Sequence, residues 1–261
     1  NKKNVVVKQI GMEIFSSKNE NKDDKEILDT SIKIIKKIGF KKANVKIGNF
    51  KLFELLIKKL SMPQRWKSRL LKFYWNEKYF SELLKRLQSN SDIDPIVVAG
   101  DKKNYLKMKK ENPNKIIAGR SYREIIERYE RKINDPRTVE TGKYSVKIIR
   151  EFLKIKCSLK DAPKKLNTFY KKYNLNISVG KDFFPISNLK QKGINFEFST
   201  SNGRGKDVEY YSSFIFSIEV RFKNSIKTLV AGGRYNDLTS KILGLKKIPA
   251  VGAAINLWVK K

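Results

Sequence analysis

The period of the apolar residues changes twice along this 261-residue chain, and nothing else in the sequence constrains its fold as strongly. Toward both ends, strand-like runs show apolar and polar residues alternating with period two, the spacing of a half-buried strand. The clearest run is "DVEYYSSFIFSIEV", which puts Phe214, Phe216, Ile218 and Val220 on one face. "INFEFST" alternates likewise, "NVVVKQIGMEIF" and "NVKIG" read as strands, and "IKTLVAGG" and "IPAVGAAINLWV" as strand-like or close-packed segments. Between the ends the spacing is helical. "KEILDTSIKIIKKIGF" carries Leu28, Ile32, Ile35 and Ile38 on one stripe and stops at Gly39. "FKLFELLIKKL" is amphipathic, and Ser61 and Pro63 are expected to open the helix in "SMPQRWKSRLLKFYW". Ser121 and Glu124 form a capping-box pattern. Asp161 is the expected cap of a helix bearing Leu166, Phe169 and Tyr173. "DPIVVAGDKKNYLKMKKENPNKIIAG" shows no clear period and reads as loop-rich. Strands, then helices, then strands predict an α+β fold of antiparallel character with the helices inserted into the sheet domain.

Composition bounds the chemistry. Hydrophobic residues make up 40% of the chain, enough for a core. The formal net charge of +32 attracts polyanions, which keeps a basic RNA-binding module among the alternatives. The excess is Lys, dispersed over loops and helices, whereas Arg, the better residue for bidentate phosphate contacts, is not enriched. A general lysine-rich composition therefore explains the charge better than a nucleic-acid footprint does. The single cysteine, Cys157, sits among apolar residues and is expected to be a small buried side chain. With one cysteine and no histidine, intrachain disulfides, histidine general bases and histidine-ligated metals are excluded. No metal or cofactor is expected. No apolar run approaches a membrane span and the first residues do not form a signal peptide, so a cytoplasmic location is expected. The chain opens with Asn1 directly in a strand-like run, the pattern of a fragment.

Three segments concentrate chemistry. If the first strand is extended, Val5, Val7, Gln9, Gly11 and Glu13 share one face, and Gln9 and Glu13 flank a bare glycine. The opposite face, with Val6, Ile10, Met12 and Ile14, can pack on a core. An edge strand with a solvated polar face is the simpler reading. "EYYSS" supplies Tyr210 and Tyr211, and "AGGRYNDL" supplies Gly232, Gly233, Arg234 and Tyr235. Adjacent glycines let backbone and ligand approach closely. Carboxylate and phenol partners suit a small polar ligand with an ionisable ring or an ammonium group. A turn with ordinary core packing is the competing reading.

Taken in order, these runs resemble the histidine-binding core of histidyl-tRNA synthetase and of its non-catalytic relative, the ATP phosphoribosyltransferase regulatory subunit. "VKQIGMEIFS" resembles the second strand of class II motif 2, and "KDVEYYSSFIF" the segment that synthetases write Arg-Gly-Leu-Asp-Tyr-Tyr. "AGGRYNDL" is similar to Ala-Gly-Gly-Arg-Tyr-Asp-Gly-Leu, and "PAVGAAINL" sits where motif 3 begins. "VKIGNFKLFELLIKKLSMPQRWKSRLLKFY" and "AGRSYREIIERY" resemble segments of proteobacterial regulatory subunits. The resemblance implies a class II aminoacyl-tRNA synthetase-like antiparallel sheet. Residues 1–50 would begin the core, 51–185 would form a mostly helical insertion, and 186–261 would complete the core.

The departures from the synthetase pattern carry equal weight. The arginine before the Tyr-Tyr pair is matched by Lys206. The motif 3 arginine that clamps ATP is matched by Val259, and the glycine three residues earlier by Asn256. Valine cannot bind a phosphate as a guanidinium does. The resemblance thus implies a regulatory, non-catalytic protein, with a synthetase fragment as the alternative. It implies a histidine pocket of Gln9, Glu13, Tyr211, Gly232, Gly233 and Tyr235. It also implies assembly with a short-form catalytic subunit in the first step of histidine synthesis, and self-association of the full-length form. Motif 1 and the first arm of motif 2 have no counterpart here, so an N-terminal truncation is expected.

Overall fold

A computed structural model of the chain describes residues 8–16, 18–110, 116–117, 119–180, 183–184, 186, 189, 191–205, 209–244 and 246–256. The chain forms two compact units. The first joins Asn1–Leu56 to Glu151–Lys261, and the second is Ile57–Arg150.

The first unit is built on a seven-stranded sheet in the order β1-β9-β8-β7-β2-β6-β5. Its strands are β1 (Gln9–Phe15), β2 (Ala43–Asn49), β5 (Lys156–Ser158), β6 (Ile194–Ser199), β7 (Phe214–Phe222), β8 (Ser225–Arg234) and β9 (Ala250–Asn256). All neighbours are antiparallel except β2 and β6. The alternation of Phe214 to Val220 predicted strand β7, which forms a long hairpin with β8; those residues are buried, and so are Ile215 and Ser217 on its other face.

Helix α1 (Glu20–Lys37) covers one face of the sheet, lying against β9, β1, β8 and β7. Its buried stripe is Ile27, Leu28, Ile32 and Ile35, at the spacing that keeps one helical face toward a core. Asn19 caps it by accepting from the Lys22 N–H at 3.1 Å. The chain leaves it at Gly39, whose φ of 104° favours glycine. Strand β1 lies at the sheet edge, so its expected core face is only partly covered: Met12 and Ile14 are half-buried and Ile10 is exposed. Val5, Val6 and Val7 fall outside the described residues.

The second unit contains helices α3 (Gln64–Lys72), α4 (Glu77–Leu87), α5 (Pro95–Lys109) and α6 (Tyr122–Ile133), and a two-stranded ladder of β3 (Ile116–Ile117) and β4 (Arg120–Ser121). Helices α2 (Phe50–Lys59) and α7 (Val139–Leu153) run across the two unit boundaries. The helical unit is narrower than residues 51–185. Strand β5 and helix α8 (Ala162–Lys172), with Leu166, Phe169 and Tyr170 buried, belong to the sheet unit.

The local signals were met unevenly. The capping box at Ser121 and Glu124 forms in both directions. Ser61 does not cap α3; Pro63 takes the N-cap position, and it has no side-chain group to offer. Asp161 precedes α8 without a side-chain cap bond, because Ser158 caps the short turn before it, accepting from the Asp161 N–H at 3.3 Å. Helix α5 occupies a stretch that reads as loop-rich. None of its described side chains is buried, so it has no apolar period to detect; Asp94 and Pro95 start it locally. Cys157 is half-buried, because β5 is the sheet's outer strand.

Candidate functional site

The site is built by strand register. Glu13 on β1 pairs with Gly252 on β9, and Gly252 pairs with Gly233 on β8. Cross-strand partners point to the same face. The Glu13 side chain therefore lies across the backbone of β9 at Gly252, which has no side chain to obstruct it. A Cβ on Gly252 would overlap the Glu13 carboxylate. Gly233 serves Tyr211 in the same way: a Cβ there would lie 2.8 Å from Tyr211 Cδ1 and 2.6 Å from the Phe214 carbonyl oxygen.

Tyr235 follows the end of β8, and its hydroxyl donates to Glu13 Oε2. Tyr210 stands 4.5 Å from Tyr211 and 6.0 Å from Tyr235, centroid to centroid, the latter pair edge-on at 77°. Phe15 meets Tyr235 edge-on at 6.3 Å. Together they enclose an open cavity of about 550 Å³. Glu13 and the tyrosines give its lining polar groups, and Phe15, Leu238 and Ile242 give it apolar ones. Burial, then the hydrogen bond with Tyr210 and the nearby negative charges, push the Tyr211 hydroxyl well above the usual phenol range. Burial, then the bond to Glu13, do the same for Tyr235. Both phenols stay protonated at neutral pH, so Tyr235 remains a donor to Glu13. A carboxylate ringed by aromatic faces suits a small ring or cation with N–H donors.

Of the residues expected in a pocket, the fold brings Glu13, Tyr211 and Tyr235 together. Gln9 does not line this cavity. It lies four residues along β1 and donates to Asn256 Oδ1 at 2.7 Å, on the exposed edge. Gly233 lies beneath Tyr211, and Gly232 faces the opposite side of the sheet, where a Cβ would sit 2.7 Å from Phe216 Cε1. Lys206 and Val259 lie outside the described residues. The sequence reading missed Gly252, Phe15, Leu238 and Ile242. Gly252 was visible only as a glycine among small residues, since its role depends on pairing with Glu13.

Arg234 points to the other face. It is buried and donates through Nε to Asp24 Oδ1 at 2.8 Å and through Nη2 to the Glu20 carbonyl oxygen at 2.8 Å, fixing α1 to the end of β8. Burial, opposed by Arg234 and reinforced by Glu20 and Asp23, pushes the Asp24 carboxyl up to about 6. Among the described residues, no group of His, Cys, Asp or Glu could hold a metal ion, and no helix is long and apolar enough to cross a membrane.

The fold is class II aminoacyl-tRNA synthetase-like: the histidyl-tRNA synthetase from Nostoc sp. PCC 7120 superposes over 95% of this chain and 48% of its own length, with a TM-score of 0.52 and 17% identity. No known family profile matches the sequence. Along nearly its whole length, however, the chain is similar to ATP phosphoribosyltransferase regulatory subunits. It is 26% identical to that of Allorhizobium ampelinum over 268 residues, covering 97% of this chain and 71% of the relative. It is 23% identical to that of Sinorhizobium fredii over 256 residues, covering 92% and 66%. The chain thus spans about two thirds of the length of these relatives.

Proposed function

We propose that this chain is the greater part of a non-catalytic regulatory subunit of ATP phosphoribosyltransferase, acting in the first step of histidine biosynthesis. The observation that carries this reading is the similarity to such subunits over 97% of the chain. It assembles with a short-form catalytic subunit, supports its activity and passes on histidine feedback, and the full-length form also self-associates. In the cavity, Glu13 accepts a hydrogen bond from the imidazole ring, with Tyr211 and Tyr235 beside it. The juxtaposition of one carboxylate with three tyrosines supports this assignment. Gln9 and the Gly232–Gly233 pair act indirectly, through the sheet edge and close backbone packing. Feedback requires that histidine bind one assembly state better than another.

The full-length protein, mixed with a short-form catalytic subunit, is expected to co-purify with it and raise its turnover, and histidine is expected to lower it. Absence of both association and stimulation would remove the reading. Pyrophosphate exchange with histidine tests the synthetase alternative; measurable exchange would favour it.

A further inference from the structure

Asn236 follows Tyr235 and does not line the cavity, yet it bonds to the end of β8, the start of β9, the tyrosine loop and the start of α1. Its Oδ1 accepts from the Ala250 N–H at 3.0 Å, at the start of β9, and from Arg234 Nη1 at 3.2 Å, at the end of β8. Its backbone N–H donates to Ser212 Oγ at 3.3 Å, in the loop that carries Tyr210 and Tyr211. Its Nδ2 donates to Glu20 Oε1 at 2.7 Å, at the start of α1, a few residues after Glu13 and Phe15 on β1. Ser212 closes the ring by donating its own N–H to the Arg234 carbonyl oxygen at 2.7 Å. The ends of β8 and β9, the tyrosine loop and the start of α1 thus meet at one residue, three of them through its side chain and the loop through its backbone N–H.

We infer that Asn236 is the positioning residue of this pocket, and that its amide, in particular, is what the position requires. Only an amide has an acceptor for two donors at one end and a donor for a carboxylate at the other. A carboxylate of the same size would keep the acceptor end but face Glu20 with a like charge at hydrogen-bond distance. The strand ends and the tyrosine loop would then shift relative to β1, and Glu13, Tyr211 and Tyr235 would lose their alignment. Supporting residues of this kind decide whether a binding site holds its geometry.

The functional readout rests on the histidine reading given above; the structural one does not. Asn236→Asp is expected to weaken histidine binding, measured by calorimetry, about tenfold. It should also shift the NMR signals of Tyr211 and Tyr235 in tyrosine-labelled protein. Adding Glu20→Gln should restore most of both, because a glutamine amide can donate to the new carboxylate. Glu20→Gln alone should change little. Unchanged affinity and tyrosine signals in Asn236→Asp overturn the inference, as does a change that Glu20→Gln does not reverse. If the unmodified protein binds no histidine, the ligand reading falls, and the tyrosine signals across the three variants still decide the positioning role. Should Asn236→Asp fail to fold, Asn236→Ala removes the side-chain bonds without adding charge; tyrosine signals unchanged there overturn the inference.

Discussion

Among the described residues, each unit of this molecule buries an ionic cluster, and the two are built with opposite surpluses. In the sheet unit, the single guanidinium of Arg234 faces Asp24 at 2.7 Å, Glu20 at 3.7 Å and Asp23 at 3.9 Å. In the helical unit, Arg65, Arg86 and Arg137 share Asp92 and Asp135. Asp135 accepts from Arg65 Nε and Trp66 Nε1 at 3.0 Å each and from Arg137 Nε at 3.2 Å. Arg65 and Arg137 lie over the Trp66 ring at 5.0 and 4.7 Å. Burial, with a smaller push from Glu20 and Asp23, lifts Asp24 to about 6 against the pull of Arg234. Around Asp135, burial raises the carboxyl, but the bonds from Arg65 and Trp66 and the charge of Arg65 outweigh it and hold it below the usual range. The helical cluster is thus a staple that stays charged. The sheet cluster sits behind the candidate pocket, and its charge changes near neutrality.

The largest expected contrast is in stability. Arg234→Met strands a group of buried carboxylates, and losing one partner of such a cluster costs about 3–5 kcal/mol. Asp135→Asn should cost less, about 2 kcal/mol, because the amide oxygen still accepts and Asp92 remains paired with the arginines. Urea unfolding of both variants checks the order, and a larger loss in the helical unit would break the comparison. Two glycines provide the next contrast. Gly252→Ala drives the Glu13 carboxylate from its place and should weaken histidine binding by about 100-fold, or about 2.7 kcal/mol. Gly142→Ala, whose Cβ would run into the Leu87 carbonyl oxygen, should lower the melting temperature and leave histidine affinity alone.

The pH response separates the clusters at smaller amplitude. Asp24 holds its proton more tightly folded than unfolded, so it stabilises the fold below its unfolded value near 4, and that contribution is lost as pH rises through about 6. Melting temperature should therefore gain from Asp24 as pH falls from 7 to 5, and Asp24→Asn should flatten that slope. Asp135 has the opposite sign: its contribution is present above the unfolded value and lost only as pH falls through its lower folded one. The smallest effect is that of Tyr235→Phe, which removes the hydroxyl that donates to Glu13 and should reduce histidine affinity by about 1 kcal/mol, or about fivefold, by calorimetric titration.

Much of this was readable in the residues. Phe214 to Val220 mark a strand, the Leu28 and Ile32 stripe marks α1, and the side-chain chemistry of Glu13, Tyr211 and Tyr235 marks them as pocket candidates. Gln9 offers similar chemistry, but the cavity lies four residues away along β1. Arg234 sits next to Tyr235 in sequence and faces the opposite side of the sheet, since alternate residues of a strand diverge. The roles of Asn236 and Gly252 could not be read from their runs, because what they do is defined by the strands on either side.

The sequence by itself determined the kind of fold and the chemical groups available to it, since periodicity and side-chain chemistry are properties of neighbours along the chain. Tertiary structure alone decided which of those groups share a cavity, because the register that puts Glu13 over Gly252 is set by pairing of β1 with β9 across residues more than 200 apart. A slip of one residue would have turned Glu13 to the other face.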